Sequence, residues 1–389
     1  MALPLDEVKV IDADTHLTEQ HDLWTKRAPA AFKDRVPRVT QVDGQATWVV
    51  DDGAVLGRAG AGGVVDRNGV KGRSFEGLYE WEIEQAHVAA YDPVARVELL
   101  DEIGIWAQIV FPGVVGLGGQ SLGENVEDPV LRMLCLEIFN DASAELQAES
   151  GDRLLPMAIL PAWDVDACVR EAYRAKSLGL RGVNLTSDPQ DLGAPDLASR
   201  AWDPLWEACS AAKLPVHFHI GASLTTMSYF GTYPWDSHDD DTKLAIGGTL
   251  LFIGNARVVV NIICSGMLDR FPDLKIVSVE SGTGWIPFIL EALDYEMDEN
   301  APQAKAALSL LPSEYFKRQI YATTWFEHRN LAGLVAAVGE DNIMFETDFP
   351  HPTCLYPDPL KTAEHNMAEL STSVQRKILG ENAAKLYQL

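Results

Sequence analysis

From Asp92 onward the chain repeats one unit: a capped amphipathic stretch, a glycine or turn, then a short apolar run. Asp92 and Pro93 open the first stretch with a capping acceptor and a residue pre-set for the first helical position, and Gly104 closes it. With the apolar run near the N-terminus, the pattern predicts eight strands, at 8–14, 106–111, 155–160, 182–185, 215–219, 274–280, 319–323 and 343–348. Helices are expected between most of them, at 129–148, 164–178, 201–212, 286–297 and 329–338, with a last one at 374–386. Strands that alternate with helices in this way specify a parallel sheet, and eight of them close it into a (β/α)8 barrel. A doubly wound open sheet would want a glycine-rich phosphate turn after its first strand, where this chain has Asp14-Thr15-His16.

The fold class expected is therefore α/β, a distorted (β/α)8 TIM barrel forming one domain over 1–389. A barrel needs only ~250 residues, so the surplus is read as decoration: a hairpin and loop insertion at 40–86 and a lid loop at 220–242. Asp52-Gly53, between two apolar runs, predicts a β-hairpin over 41–56. The glycine-rich run 57–73 lacks the Gly-Lys-Ser/Thr ending of a phosphate loop and is read as a mobile surface loop.

Charge narrows the partners. With 57 acidic against 31 basic residues the formal charge is −26, which argues against nucleic acid and against an anionic membrane surface. No uninterrupted apolar run reaches the ~18 residues of a membrane span and the N-terminus lacks a leader's pattern, so a cytoplasmic protein is expected. Five cysteines, none spaced Cys-x-x-Cys, indicate neither a disulfide framework nor a thiolate metal site.

In a barrel the C-terminal ends of all strands meet at one mouth, where catalytic groups collect. Strand one ends in Asp12, Asp14 and His16, which alternation along an extended strand would place on one face. Strand five ends in His217 and His219, strand six in Glu280, and strand eight in Asp348 with His351 just beyond. Charged groups at the end of an apolar strand are costly unless paired or ligated, so four such ends point to a shared divalent cation. The loop after strand five carries Tyr229, Phe230, Tyr233 and Trp235, which would shape an apolar substrate pocket as a lid or serve a subunit contact. Among the other histidines, His87 is considered for the mouth together with Arg96, which has helix capping as its alternative, and His328 stands as a weaker neighbour of the site.

Four motifs, Asp-Ala-Asp-Thr-His at 12–16, Leu-Pro-Val-His-Phe-His at 214–219, Gly-Met-Leu-Asp-Arg-Phe-Pro-Asp-Leu-Lys-Ile at 266–276 and Glu-Thr-Asp-Phe-Pro-His at 346–351, carry a resemblance. They resemble the amidohydrolase superfamily, in the branch that includes aminocarboxymuconate semialdehyde, resorcylate and carboxyvanillate decarboxylases. The resemblance implies one divalent metal, zinc or manganese, held by Asp14, His16, His219 and Asp348, with Asp14 in place of the family's first His or Glu. It covers the chain from Ile11 to the C-terminal helix. The family's histidine at the end of strand six is absent here; an ungapped match puts Ser281 in its place, while Glu280 is the expected site residue.

The leading expectation is a metal-dependent hydrolase or decarboxylase acting on a small carboxylated compound, with Glu280 or Asp348 moving the proton and His217 as a further candidate. Tyr229, Phe230, Trp235 and His351 are the substrate-binding candidates. Three carboxylates beside several imidazoles also suit a pair of iron or manganese ions, so a dinuclear oxygenase is the alternative, with Glu280 a ligand and His217 or His351 completing the second place. A non-catalytic barrel subunit of a hetero-oligomer is a third reading; a homodimer is the expected assembly.

Overall fold

The computed structural model of the chain describes residues 3–73, 80–228 and 235–389. Among the described residues, nine short parallel strands form two arcs. The first arc runs β1 (Ile11–His16), β5 (Ala107–Phe111), β6 (Leu154–Pro156). The second runs β7 (Ala158–Ile159), β8 (Val183–Asn184), β9 (Val216–His219), β10 (Ile276–Val279), β11 (Ile320–Thr324), β12 (Ile343–Phe345). β6 and β7 are one expected strand whose chain changes partners at Met157: its amide donates to Val110 O at 3.0 Å, and that of Ala158 to Gly182 O at 3.1 Å. On the other side, the Asp348 amide donates to Asp14 O at 2.9 Å and the His16 amide to Phe349 O at 2.8 Å, joining the end of β12 to β1. The eight-unit α/β barrel is thus assembled from the strands that apolar patterning predicts.

Alternation sorts the strand residues into two layers. Val183, Val216, Phe218, Ile276, Ile320, Ile343 and Phe345 face the helical jacket, while Ala107, Ile109, Leu155, Val277, Val279 and Met344 fill the interior. The helix Pro93–Ile103 starts where its signals say: Asp92 accepts from the Ala95 amide, and Gly104 closes it at φ 76°. The helix Asp240–Cys264 is the one described helix long and apolar enough to cross a membrane, yet Gly247, Leu251, Asn255, Val259 and Ile263 are buried every fourth residue. Asn255 donates to Phe218 O at 2.8 Å, so this face packs on the barrel wall.

The C-terminal segment plugs the floor. Its helix Asn382–Tyr387 brings Ala383, Leu386 and Tyr387 into the interior cluster. Gly380, just before it, approaches the first strand so closely that a Cβ would lie 2.0 Å from Lys9 O. Only glycine fits there.

Two expectations about the insertion change. In place of one hairpin there is a three-stranded antiparallel sheet, β2 (Arg38–Val42), β3 (Gln45–Val50), β4 (Ala54–Arg58). The extra turn is Asp43-Gly44, with φ of 51° and 80°, the positive pair that a tight hairpin requires. The run 57–73 is not a surface loop throughout. Ala59, Ala61, Val64 and Val65 are buried, and the Val64 amide donates to Pro350 O at 2.9 Å, against the loop that follows β12.

Candidate metal centre

The mouth of the barrel holds a buried nest of imidazoles and carboxylates whose lone pairs point at one another. Asp14, His16, His219 and Glu280 each offer a ligand atom within 4.8 Å of the others; so do His16, Glu280, Asp348 and His351. His219 Nε2 lies 3.5 Å from Asp14 Oδ1 and 3.3 Å from Glu280 Oε2, and His16 Nε2 is 3.8 Å from Asp14 Oδ1 and 3.7 Å from Asp348 Oδ1. Both oxygens of Asp14, both ring nitrogens of His16, His219 Nε2 and Asp348 Oδ1 are buried without a hydrogen-bond partner. Buried polar atoms normally find partners, so this many orphans converging on one space fit a divalent cation.

Local backbone chemistry aims these groups. A register shift between Asp12 and Thr15 interrupts the pairing of β1 with β5. Asp14 and His16 face the mouth, whereas Asp12 turns away and accepts from the Thr347 amide (2.8 Å), Thr347 Oγ1 (2.6 Å) and Gln108 Nε2 (2.9 Å). The expected common face of Asp12, Asp14 and His16 is therefore corrected: the irregularity breaks the alternation that would have produced it. Glu280 and Asp348 both occupy the left-handed region, at φ 52° and 59°, a conformation costly for residues with a Cβ and concentrated at functional sites. His219 is set by Nδ1, which donates to Ile220 O at 2.8 Å and leaves Nε2 free to ligate.

Burial governs the protonation states. It lowers His219 to about 4 and His16 well below its usual value, so both rings are neutral at pH 7. Asp14 and Glu280 are held well above the usual carboxylate range, first by burial and then by Asp348 beside them. Such a cluster is unfavourable as bare charge and becomes favourable around a cation.

His217 shares the face of His219 but lies deeper, and it does not reach the cluster. Nδ1 sits 2.8 Å from Val183 O and Nε2 2.8 Å from Tyr387 Oη, so neither nitrogen is left for catalysis or ligation. This corrects its candidacy, and the reason is the C-terminal plug. Ser281 is also elsewhere engaged, on Ser278 Oγ at 2.7 Å, and Glu280 takes the site position. His351 joins the donors, stacked on His16 with ring centroids 3.7 Å apart. Tyr229, Phe230 and Tyr233 lie outside the described residues, and Trp235 is half exposed. His87 caps a short helical turn through the Ala89 amide, and His328 is exposed; neither joins the donor cluster.

Two features escape the sequence reading. Glu346 is fully buried with neither oxygen bonded in good geometry, two residues before Asp348; the Glu-x-Asp spacing, like that of Asp14 and His16, is the signal that could have found it. Arg96 neither faces the mouth nor caps its helix. Fully buried, it donates from Nη2 to His16 O at 2.7 Å and from Nη1 to Gln108 Oε1 at 3.0 Å, so a chain of contacts runs Arg96–Gln108–Asp12–Thr347 behind the donors.

Neutral imidazoles and unpaired carboxylates at the C-terminal mouth of a parallel barrel define a metal-dependent barrel enzyme. The chain belongs to the amidohydrolase family, whose sequence pattern matches residues 11–389. It is 27% identical over 322 residues to a gamma-resorcylate decarboxylase of Rhodococcus jostii, covering 79% of this chain and 91% of that protein. The fold is similar to the crystal structure of an amidohydrolase from Mycobacterium avium subsp. paratuberculosis, with a TM-score of 0.76 at 22% identity over 98% of this chain and 99% of that one. It is also similar to a dihydroxybenzoic acid decarboxylase from Polaromonas sp. JS666, solved with bound manganese and the inhibitor 2-nitroresorcinol, with a TM-score of 0.63 at 20% identity, covering 98% and 97% of the two chains.

Proposed function

We propose that the protein is a metal-dependent decarboxylase that releases the carboxyl group of a small hydroxylated aromatic acid as carbon dioxide. The observation that carries the reading is the set of buried donors at the mouth whose lone pairs no protein group claims. The 27% identity to a gamma-resorcylate decarboxylase across most of both chains supports the choice of reaction.

In this reading Asp14, His16 and His219 would hold the ion, with Asp348 at its edge. When bound, a divalent cation supplies a Lewis acid that anchors the substrate's carboxylate and neighbouring ring oxygen. Glu280 would carry the proton. It lies 3.3 Å from His219 Nε2, and its raised affinity for a proton, caused by burial and by Asp348 and Asp14, suits a group that delivers one near neutral pH. As the bond between ring carbon and carboxylate breaks, its electron pair stays on the ring carbon; that carbon takes the proton from Glu280 and carbon dioxide leaves. Phe111, whose ring centroid lies 5.0 Å from that of His219, walls the site and excludes water.

The test is release of carbon dioxide from a panel of mono- and dihydroxybenzoic acids by protein loaded with manganese or zinc. Turnover that Glu280→Gln abolishes while metal content persists is the expected result. Absence of carbon dioxide release across the panel, with hydrolysis of an amide or lactone instead, would refute it.

A further inference from the structure

A cavity of about 160 Å³ lies outside the first arc, between the ends of β5 and β6 and the helix Pro129–Glu149. Leu17, Val110, Phe139, Leu146 and Pro156 give it apolar walls, and none of the metal donors lines it. Ala142 lies three residues after Phe139 and four before Leu146, so all three share the helix face that bounds the cavity. Most of the polar groups around it are already committed. Thr18 Oγ1 donates to Ala61 O at 2.8 Å, Ser143 Oγ to Phe139 O at 2.9 Å, and Arg27 to Leu23 O at 2.9 Å and Glu145 Oε2 at 3.0 Å. Glu19 is the exception. It is buried to 8% exposure, and its Oε1 accepts from the amides of Gly113 (2.8 Å) and Val114 (3.1 Å), while Oε2 takes no hydrogen bond among the described residues.

We propose that this cavity is a binding site, apart from the metal centre, for a neutral phenol, with the ring against Val110, Phe139 and Leu146 and the hydroxyl donating to Glu19 Oε2. Size supports the choice of ligand, since an apolar cavity of about 150 Å³ takes benzene. Chemistry selects the hydroxyl: one unclaimed acceptor in an apolar enclosure recognises a ring that brings one donor. Charge selects the neutral form. Glu145 and Glu149 stand with Glu19 around the cavity, and Lys26 and Arg27 are already paired with Asp22 and Glu145, so an aromatic carboxylate meets no free cation there. A phenol keeps its proton up to about pH 10 and enters uncharged. The occupant would lie beside the metal centre without touching its donors, because Leu17 follows His16 and the ring of Phe111, which also lines the cavity, is 5.0 Å from that of His219. The decarboxylation proposed above yields a phenol from an acid, so on that reading the cavity takes the product and refuses the substrate.

Calorimetric titration of the chelator-stripped full chain with phenol and, separately, with benzene tests this, because without metal the mouth offers no Lewis acid to hold a phenol. The expected result is one phenol per chain at millimolar concentration. Ala142→Phe, which fills the cavity, should abolish binding of both probes; Ala142→Leu, with circular dichroism on each variant, separates filling from misfolding. Glu19→Gln keeps the acceptor for the Gly113 and Val114 amides but replaces Oε2 with an amide nitrogen. It should weaken phenol about tenfold and leave benzene unchanged. No phenol uptake by the unsubstituted chain, uptake retained in both folded Ala142 variants, or equal effects of Glu19→Gln on the two probes overturns the proposal. If carbon dioxide is released from the acids while the metal-free chain takes up no phenol, this inference alone falls. If phenol binds as expected and nothing is decarboxylated, the proposed reaction falls and the site stands.

Discussion

Gln108→Leu isolates what the chain of contacts behind the donors contributes. Gln108 is almost completely buried, and its amide spans Arg96 Nη1 at 3.0 Å and Asp12 Oδ2 at 2.9 Å. Leucine has a similar volume, so packing changes little while two hydrogen bonds to charged partners vanish. Each such bond is worth about 1.5–3 kcal/mol, so the expected loss is about 3–6 kcal/mol, a large part of the ~5–15 kcal/mol typical of a folded domain. A second effect separates this role from ordinary packing. Arg96 holds the carbonyl of His16 and Asp12 holds Thr347, the residue before Asp348, so slack in the chain displaces donors on two strands. Manganese affinity should fall about 10–100-fold, the usual cost of losing a group that orients a ligand. Urea denaturation of the metal-free protein gives the first quantity and calorimetric titration with manganese the second. A stability loss below about 1 kcal/mol, or unchanged manganese affinity, would show that Arg96 and Asp12 are satisfied without the bridge.

Asp14→Asn should abolish manganese binding yet raise the thermal midpoint of metal-free protein, since it removes one of several crowded buried carboxylates; melts with and without chelator read both. The pH dependence follows from sign. Asp14, Glu280 and Glu346 hold protons in the folded metal-free chain that the unfolded chain releases above about pH 4, whereas buried His16, His217 and His219 are neutral in the folded chain and pull the other way below about pH 6.5, where the unfolded chain protonates its histidines. Above that value only the carboxylates count, so metal-free protein should be more stable at about pH 7 than at about pH 8, and manganese should raise the midpoint more at the higher pH; equal shifts at the two pH values would contradict the assignment. Tyr387→Phe leaves His217 Nε2 without its partner and should cost about 1–3 kcal/mol in denaturation while metal stoichiometry stays unchanged. Gly380→Ala drives a Cβ to 2.0 Å from Lys9 O and should cost about 1–3 kcal/mol or more, visible as a lower urea midpoint.

What could be read in advance depended on how local its cause was. The strands were legible because each is an apolar run of a few residues with a cap or glycine beside it, and because neighbours in sequence are neighbours in the sheet. That the side chains of Asp14, His16, His219, Glu280 and Asp348 converge was legible because a strand's end fixes where its last side chains aim. Asp12 was misjudged because a shift in register at one pair of strands is not written in either strand alone. The Asp43-Gly44 turn carried the same signal as Asp52-Gly53 and was available to the same reasoning. His217 needed Tyr387, which lies 170 residues further along the chain, and no pattern around either residue announces the meeting.

The same distinction bears on why the site is built as it is. Glu280 and Asp348 sit in a strained backbone region, Asp14 and Asp348 keep oxygens without partners, and burial disfavours the charge of Asp14 and Glu280. None of these features helps the chain fold. They persist because long-range contacts over-determine the positions: the Asp348 amide on Asp14 O closes the barrel at the strained residue itself, Thr323 Oγ1 receives the Glu280 amide at 3.1 Å, and Arg96 fixes the carbonyl of His16. Strain in the donors and rigidity behind them are thus two sides of one arrangement, since lone pairs kept from one another's protons must be held by something other than themselves. It follows that the supports should be less tolerant of change in the metal-free protein than the donors, because removing a donor relieves repulsion whereas removing a support leaves that repulsion in place and frees the strands to yield to it.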